Sequence, residues 1–449
     1  MDNLKQDIKI LDDHQRPNFA FALMMILYHC FSILLWLPVS ITCVPLFVLG
    51  LFIWGKPLII LDWSSYRKYF IAVFTEGKPE ENVLVTNRIT VFLIVLGSLI
   101  KIPFHGLCWY IDELVFSSYH KINIEKPVFM ITGLRSGSSQ LNEYLTDDTK
   151  NFIAPTIAEA LFPYIWVWKL FVPILIRLGL QEYFYNKSMF GKEGTKRHHF
   201  ILLKPESWDI MMHAWRFGAC DFSLGSSFMI WGHSLARIPE PIDENLVRNF
   251  LPVTDCMMKK VMYYRGKPKQ RMLLKGHFLL NARNIEQRYP KVKFFVVVRD
   301  PVKRLCSSIN FFKVISEESK FLQGLIPSTW MVIRDHVIHT EVPYCEQEMS
   351  FYKEPADNKL VIPFTMYVNN LSATLQHIYS FCNIPIPDDV MSNAIRVQHT
   401  THDFTERRAS YDPRFKRSLS SLGVDEERLK DHLNEYIEWI GSLENNKES

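Results

Sequence analysis

Apolar and polar positions divide the chain into two unlike parts. From residue 18 to 55 there is no Asp, Glu, Lys or Arg. A bilayer-spanning helix needs only about 20 apolar residues, so this run is long enough to cross twice. Pro38 and Pro45 near its middle suit a turn between spans over 18–37 and 39–60, with one tilted helix as the alternative. The run is too long for the apolar core of a cleavable signal peptide, so it is read as retained. A second block, 89–111, is interrupted by Lys101, Pro103, His105 and Gly106. A lysine at mid-span is expensive, so this block is either a third span or an interfacial or core helix leading into the folded part. Residues 1–122 are assigned to this N-terminal anchor of transmembrane helices.

After Lys126 the pattern changes to short apolar runs alternating with amphipathic segments, the sequence form of a parallel sheet covered by helices. Strands are expected over 128–132, 272–275, 293–298 and 359–363, and helices beginning near Ser138, Leu279, Pro301, Leu371 and Glu426. The fold class is α/β, with a P-loop-like parallel sheet flanked by helices. One apolar stretch inside this part, 161–180, has only Lys169 and Arg177 as charges among Trp166, Trp168, Phe171 and Leu175. It reads as a helix on the membrane surface, a cap over an acceptor pocket, or ordinary core.

Composition changes this picture little. The chain is 48% hydrophobic and 22% charged, enough for a large core, and its formal net charge of +4 is a small difference between 51 basic and 47 acidic residues. That balance does not suggest a nucleic-acid partner, so any affinity for phosphate is local. The eight cysteines form no CxxC pair and no Cys/His cluster, which argues against zinc. Cys30, Cys43 and Cys108 lie in very apolar segments and read as core or lipid-facing thiols rather than disulfide partners; a bridge among the other five stays open.

The chemistry begins at the end of the first strand. Val128-Phe129-Met130-Ile131-Thr132 runs into Gly133-Leu134-Arg135-Ser136-Gly137-Ser138-Ser139 and then into helix-compatible Gln140-Leu141-Asn142. A strand, a tight glycine-containing loop and a helix start point several backbone N–H groups at one spot, which suits a phosphate. Ser138 and Ser139 add hydroxyls, and Arg135 adds positive charge. An ATP or GTP loop needs a Lys after its second glycine, and here Ser138 follows Gly137, so a nucleoside kinase is disfavoured. A second strand, 293–298, ends in Arg299-Asp300-Pro301, with Ser307 on the helix that follows. A third, Met272-Leu273-Leu274-Lys275-Gly276-His277, carries a lysine and a histidine two apart, a spacing that shares one face of a strand. Histidine suits proton abstraction near neutral pH.

These motifs together resemble the PAPS-dependent sulfotransferases, in particular their large, divergent membrane-associated branch. The first loop is similar to the family's 5'-phosphosulfate loop, without the usual proline before Arg135 and with Ser138-Ser139 in place of a threonine pair. Arg299 to Ser307 resembles the 3'-phosphate motif, Lys275-Gly276-His277 the K-x-H segment, and Leu203-Lys204-Pro205-Glu206 the P-E segment. Glu159 looks similar to the acidic position after the phosphate loop. The basic run 411–419, which contains Arg417 and precedes 423–429, resembles the family's closing segment.

The resemblance implies a sulfotransferase domain over 123–442 and a disordered tail over 443–449. The co-substrate would be PAPS (3'-phosphoadenosine-5'-phosphosulfate), the product PAP, and no metal is implied. Arg135, Ser136, Gly137, Ser138, Ser139 and Gln140 would hold the 5' side, and Arg299, Ser307 and Arg417 the 3' side. Arg135 and Lys275 would stabilise charge, with His277 or Glu206 as base. The acceptor would be a small molecule, glycan or lipid with a pocket built from 159–218, and the enzyme would be integral to the Golgi or another endomembrane. A catalytically inactive membrane scaffold of the same fold is the alternative. The sequons at Asn186 and Asn370 are usable only if the domain is lumenal.

Overall fold

The computed structural model describes residues 19–55, 67, 71, 85–133, 135–180, 201–206, 244–318, 329–354, 356–400 and 416–445. The sequon at Asn186, Cys220 and most of the 159–218 region lie outside them. So do residues 56–60 of the expected second span and 411–415 of the basic run.

The N-terminal part corrects one expectation. Helix α1, Phe19–Trp54, runs unbroken through Pro38 and Pro45, where a turn between two spans was expected. Each proline deletes a single backbone bond, and a long apolar helix survives that where its neighbours are in register. The Thr42 hydroxyl adds bonds between the two prolines, donating to Pro38 O at 3.0 Å and Val39 O at 2.7 Å. Within α1, Ile26–Trp54 is long and apolar enough to cross a membrane. The 89–111 block lies inside a second helix, α2, Val85–Phe116. Lys101, the residue that made a span there expensive, is buried with its ammonium 5.5 Å over the Trp36 ring. Ring contacts of Trp36 with Phe104 and of Trp54 with Tyr110 show that α1 and α2 run in the same direction, both towards the sheet.

Five parallel strands form that sheet: β1 Val128–Ile131, β2 Phe152–Ile153, β3 Arg271–Gly276, β4 Lys293–Val298 and β5 Lys359–Pro363, in the order β2-β3-β1-β4-β5. Four of them occupy the expected segments. The two-residue β2 is too short to leave a periodic signal. Helices α3 Ser138–Asp147, α4 Ile157–Leu161, α5 Ile165–Arg177, α6 Glu244–Arg265, α7 Ala282–Arg288, α8 Pro301–Glu318 and α9 Thr329–Lys353 precede β5. After it come α10 Phe364–Asn369, α11 Leu371–Cys382, α12 Asp388–Thr400, α13 Glu426–His432 and α14 Asn434–Asn445. Residues 443–445, expected in a disordered tail, form the last turn of α14, because Tyr436, Trp439 and Ile440 bury its inner face.

The strands are buried on both sides, which explains their continuous apolar runs. Phe129, Leu274, Phe294 and Val296 face one core, with Met257, Val261 and Cys345 on the helices beyond. Val128, Met130, Leu273 and Phe295 face the other, against Leu141, Leu145, Leu375 and Ile378. The seven described cysteines are free thiols. Burial pushes the Cys345 thiol up to about 12, so it behaves as an apolar contact.

Two buried charges tie the layers together. Lys260 of α6 and Asp112 of α2 pair at 2.8 Å with both side chains fully enclosed. Asp112 also accepts from the backbone N–H of Ile165 at 2.8 Å and Trp166 at 3.2 Å, capping α5 from another helix. Lys260 donates to Pro163 O at 2.9 Å and sits 3.5 Å over the Trp109 ring. This knot fastens α2 to the sheet domain. The second charge is Arg304 of α8, held by Glu341 and Glu348 of α9, each at 3.2 Å. Burial pushes the Glu348 carboxyl up from its ordinary value. Arg304 lies directly beneath Gly133, where an added Cβ would stand 2.5 Å from Nη1.

Lys260→Ala strands the Asp112 carboxylate and is expected to cost about 3–5 kcal/mol in chemical denaturation in detergent, whereas Lys260→Met with Asp112→Asn recovers most of that loss. A loss below about 1 kcal/mol for Lys260→Ala would contradict the knot. Gly133→Ala collides with a guanidinium that two carboxylates hold in place, so a loss of about 1–3 kcal/mol is expected, and an unchanged unfolding midpoint would show that Arg304 yields.

Candidate active site at the carboxyl ends of the strands

The strand order puts β1 at the centre of the sheet, between β3 and β4, so the loops leaving these three strands meet at one edge. Thr132 N donates to Gly276 O at 3.0 Å, extending the β1–β3 ladder by one residue. The chain then turns sharply into α3. Arg135 and Gly137 both have left-handed backbones, with φ of 59° and 87°. Such alternation before a helix start gathers N–H groups into a concave anion cradle. At Gly137 the conformation and the space both require glycine: an added Cβ would lie 2.9 Å from the Phe364 ring and 3.2 Å from Tyr367. An arginine held at positive φ is strained, and such strain collects at ligand sites.

The strain at Arg135 is held by the second motif. Arg299, leaving β4, donates from Nη1 to the Arg135 carbonyl at 2.9 Å. Arg135 in turn directs Nε at Ser307 Oγ, 3.4 Å away on α8. Each guanidinium lies on an aromatic face, Arg135 at 4.8 Å from the Phe311 centroid and Arg299 at 4.5 Å from that of Phe364. Two cations far apart in sequence therefore converge on the mouth of one loop. Ser136 is fully buried, and its hydroxyl finds no hydrogen-bond partner among the described residues. A hydroxyl in that state, beside a cradle that glycine keeps open, fits a loop built around an anionic ligand. Ser138 is buried at the helix start and Ser139 is exposed.

Lys275 reaches the same loop from β3. Its ammonium donates to Ser139 Oγ at 2.7 Å and to Glu206 Oε1 at 2.5 Å. The lysine and glutamate side chains are only 3% and 8% exposed. Glu206 is delivered by the segment 201–206, which pairs with the start of α4: Ile157 N donates to Lys204 O at 3.1 Å and Ala158 N to Leu202 O at 2.8 Å. Desolvating two ions costs several kcal/mol each, and a pair kept in that state beside a helix N-terminus is a candidate for chemistry.

Four other sequence candidates are placed differently. His277 lies beyond the end of β3, where the two-residue alternation stops at Gly276. Its ring packs 6.1 Å from Tyr344 of α9, and Tyr344 donates to Thr132 O at 3.0 Å. Lys275 thus stands on β3 and His277 directly follows it. Gln140 accepts from Tyr367 at 3.2 Å and donates to Tyr144 at 3.3 Å, which makes it part of the wall behind the loop. Arg417 is fixed through its carbonyl, which accepts from Asn310 Nδ2 at 2.8 Å on α8, one turn from Ser307. Glu159 completes a capping box with Thr156 and pairs with Arg265 at 2.7 Å, a structural assignment. Sequence reasoning passed over Arg304, Tyr344, Phe311 and Phe364. A charge or ring within an amphipathic helix has no local signature, although Arg304 stands one helical turn from Pro301. Among the described residues no group of His, Cys, Asp and Glu could hold a metal ion.

No protein-family model matches the sequence, and no curated protein does. Solved structures do match. Sulfotransferase STF1 from Mycobacterium tuberculosis H37Rv superposes with a TM-score of 0.54 at 15% identity, covering 86% of this chain and 97% of its own. Sulfotransferase STF9 from Mycobacterium avium gives a TM-score of 0.57 at 13% identity, covering 87% of this chain and 95% of its own. At such low identity the likeness speaks for architecture: a parallel five-stranded sheet flanked by helices, preceded by an apolar N-terminal helix, in which the chain has the sulfotransferase fold.

Proposed function

We propose that this protein is a membrane-bound, PAPS-dependent sulfotransferase that moves a sulfuryl group to a hydroxyl of a carbohydrate or lipid-like acceptor. The observation that carries this reading is the meeting of the two anion loops, Arg299 Nη1 on the Arg135 carbonyl and Arg135 Nε on Ser307. A donor with anionic groups at both the 5' and 3' positions of one ribose needs two such sites side by side, and ATP has no 3'-phosphate. The fold shared with two sulfotransferases supports the same reaction class. The apolar α1 supports membrane attachment, and the family resemblance suggests the Golgi or another endomembrane.

In this reading the backbone N–H groups of 135–139 and the start of α3 hold the 5'-phosphosulfate, and Arg299 and Ser307 hold the 3'-phosphate with the Arg417 segment alongside. Glu206 takes the proton of the acceptor hydroxyl as its oxygen attacks sulfur. The bond between sulfur and the 5'-phosphate oxygen breaks, and its electron pair leaves with PAP. Lys275 and Arg135 neutralise the charge that grows on that oxygen. Glu206 is preferred to His277 because Lys275 joins it to Ser139 at the loop, whereas His277 packs against Tyr344.

Radiolabelled PAPS incubated with the purified protein and a membrane extract is expected to label an acceptor. A protein that binds PAP but transfers no label would be the inactive scaffold instead. Glu206→Gln is expected to lower turnover by about 10²-fold or more while sparing PAP affinity, and His277→Ala to change turnover far less. The reverse order would move the base to His277.

A further inference from the structure

Helix α5, Ile165–Arg177, is apolar on two sides. Ile165 and Trp168 face the core and are buried. Leu170, Phe171 and Ile174, with Leu178 just beyond the helix, form a stripe on the other side and are about half exposed or more. An apolar helix face left open to water marks a docking surface. Its only charges are basic: Lys169, with its ammonium 4.8 Å over the Phe116 ring, and Arg177 in the last turn.

The position of α5 identifies what covers this stripe. Its first residue is capped by Asp112 of α2, and two residues earlier on α2 Tyr110 stacks on Trp54, the last residue of α1. Helix α5 therefore leaves the domain at the level where α1 ends. The apolar surface of α1 continues to that end, with Phe52 82% and Ile53 61% exposed. Leu114 and Val115, at the end of α2, extend the exposed apolar surface from α1 towards α5. A helix with an apolar stripe, basic flanks and a place at the end of a span has the features of a segment lying in the headgroup boundary, where long basic side chains reach out to lipid phosphates.

We propose that the Leu170–Phe171–Ile174–Leu178 face of α5 lies in the interfacial layer of the same bilayer that α1 crosses, so that the domain is held to the membrane at two places. This rests on the reading of α1 as a membrane anchor, and the test separates the two. The full-length protein is reconstituted in phosphatidylcholine vesicles containing phosphatidylserine, with a photo-crosslinking phenylalanine analogue in place of Phe52, Phe171 or, as a control on the exposed side of α7, Arg283. Lipid adducts at 52 and 171 but not at 283 are the expected result. An adduct at 52 with none at 171, or with a protein–protein crosslink at 171, overturns the α5 contact and leaves the anchor standing. No lipid adduct at 52 overturns the anchor, and this inference with it.

Discussion

The hydrogen bond from Arg299 to the Arg135 carbonyl, 2.9 Å long, joins two parts of the chain that the sheet order alone makes neighbours. β1 lies between β3 and β4, so whatever follows each strand is presented at one edge. Without the guanidinium on its carbonyl, Arg135 would have little reason to hold a left-handed backbone, and the N–H groups before α3 would lose their common direction. Under the proposed function, binding of a donor at one end would thereby be coupled to the geometry at the other, since Arg299, proposed for the 3' side, shapes the loop proposed for the 5' side.

Buried charge recurs, with different uses. Lys260–Asp112 and Arg304 with its two glutamates are fully enclosed, and they fix helices to each other and to the loop above Arg304. Lys275–Glu206 is also buried, yet it is bonded onward to Ser139 at the start of α3. Each ion loses several kcal/mol of hydration, so pairing is the condition for its presence in any of these places. What distinguishes the third pair is its position at the strand ends, bonded to the loop that opens α3.

The strands that lead to the candidate site were legible because they are buried on both faces and read as unbroken apolar runs, each ending in a charged or glycine-containing motif. The loop from Gly133 to Ser139 and the Arg299–Ser307 pair were legible from order and spacing. Pairing between Lys275 and Glu206 was not, because Glu206 reaches the site through a non-local bridge between Thr156 and Pro205. Lys275 lies on β3, which forms over 271–276 where 272–275 was expected, and His277 follows directly after it. No turn forms near Pro38, because each proline removes one backbone bond and the remaining bonds of a long apolar helix carry it through.

In the proposed function one ligand bridges both anion loops. Calorimetric titration of the full-length protein with PAP, and separately with ADP, tests it most directly, with Arg299→Ala as the comparison. PAP is expected to bind more tightly than ADP, and Arg299→Ala to remove this preference. Equal affinity for PAP and ADP in the wild-type protein, or unchanged PAP affinity in Arg299→Ala, would contradict it.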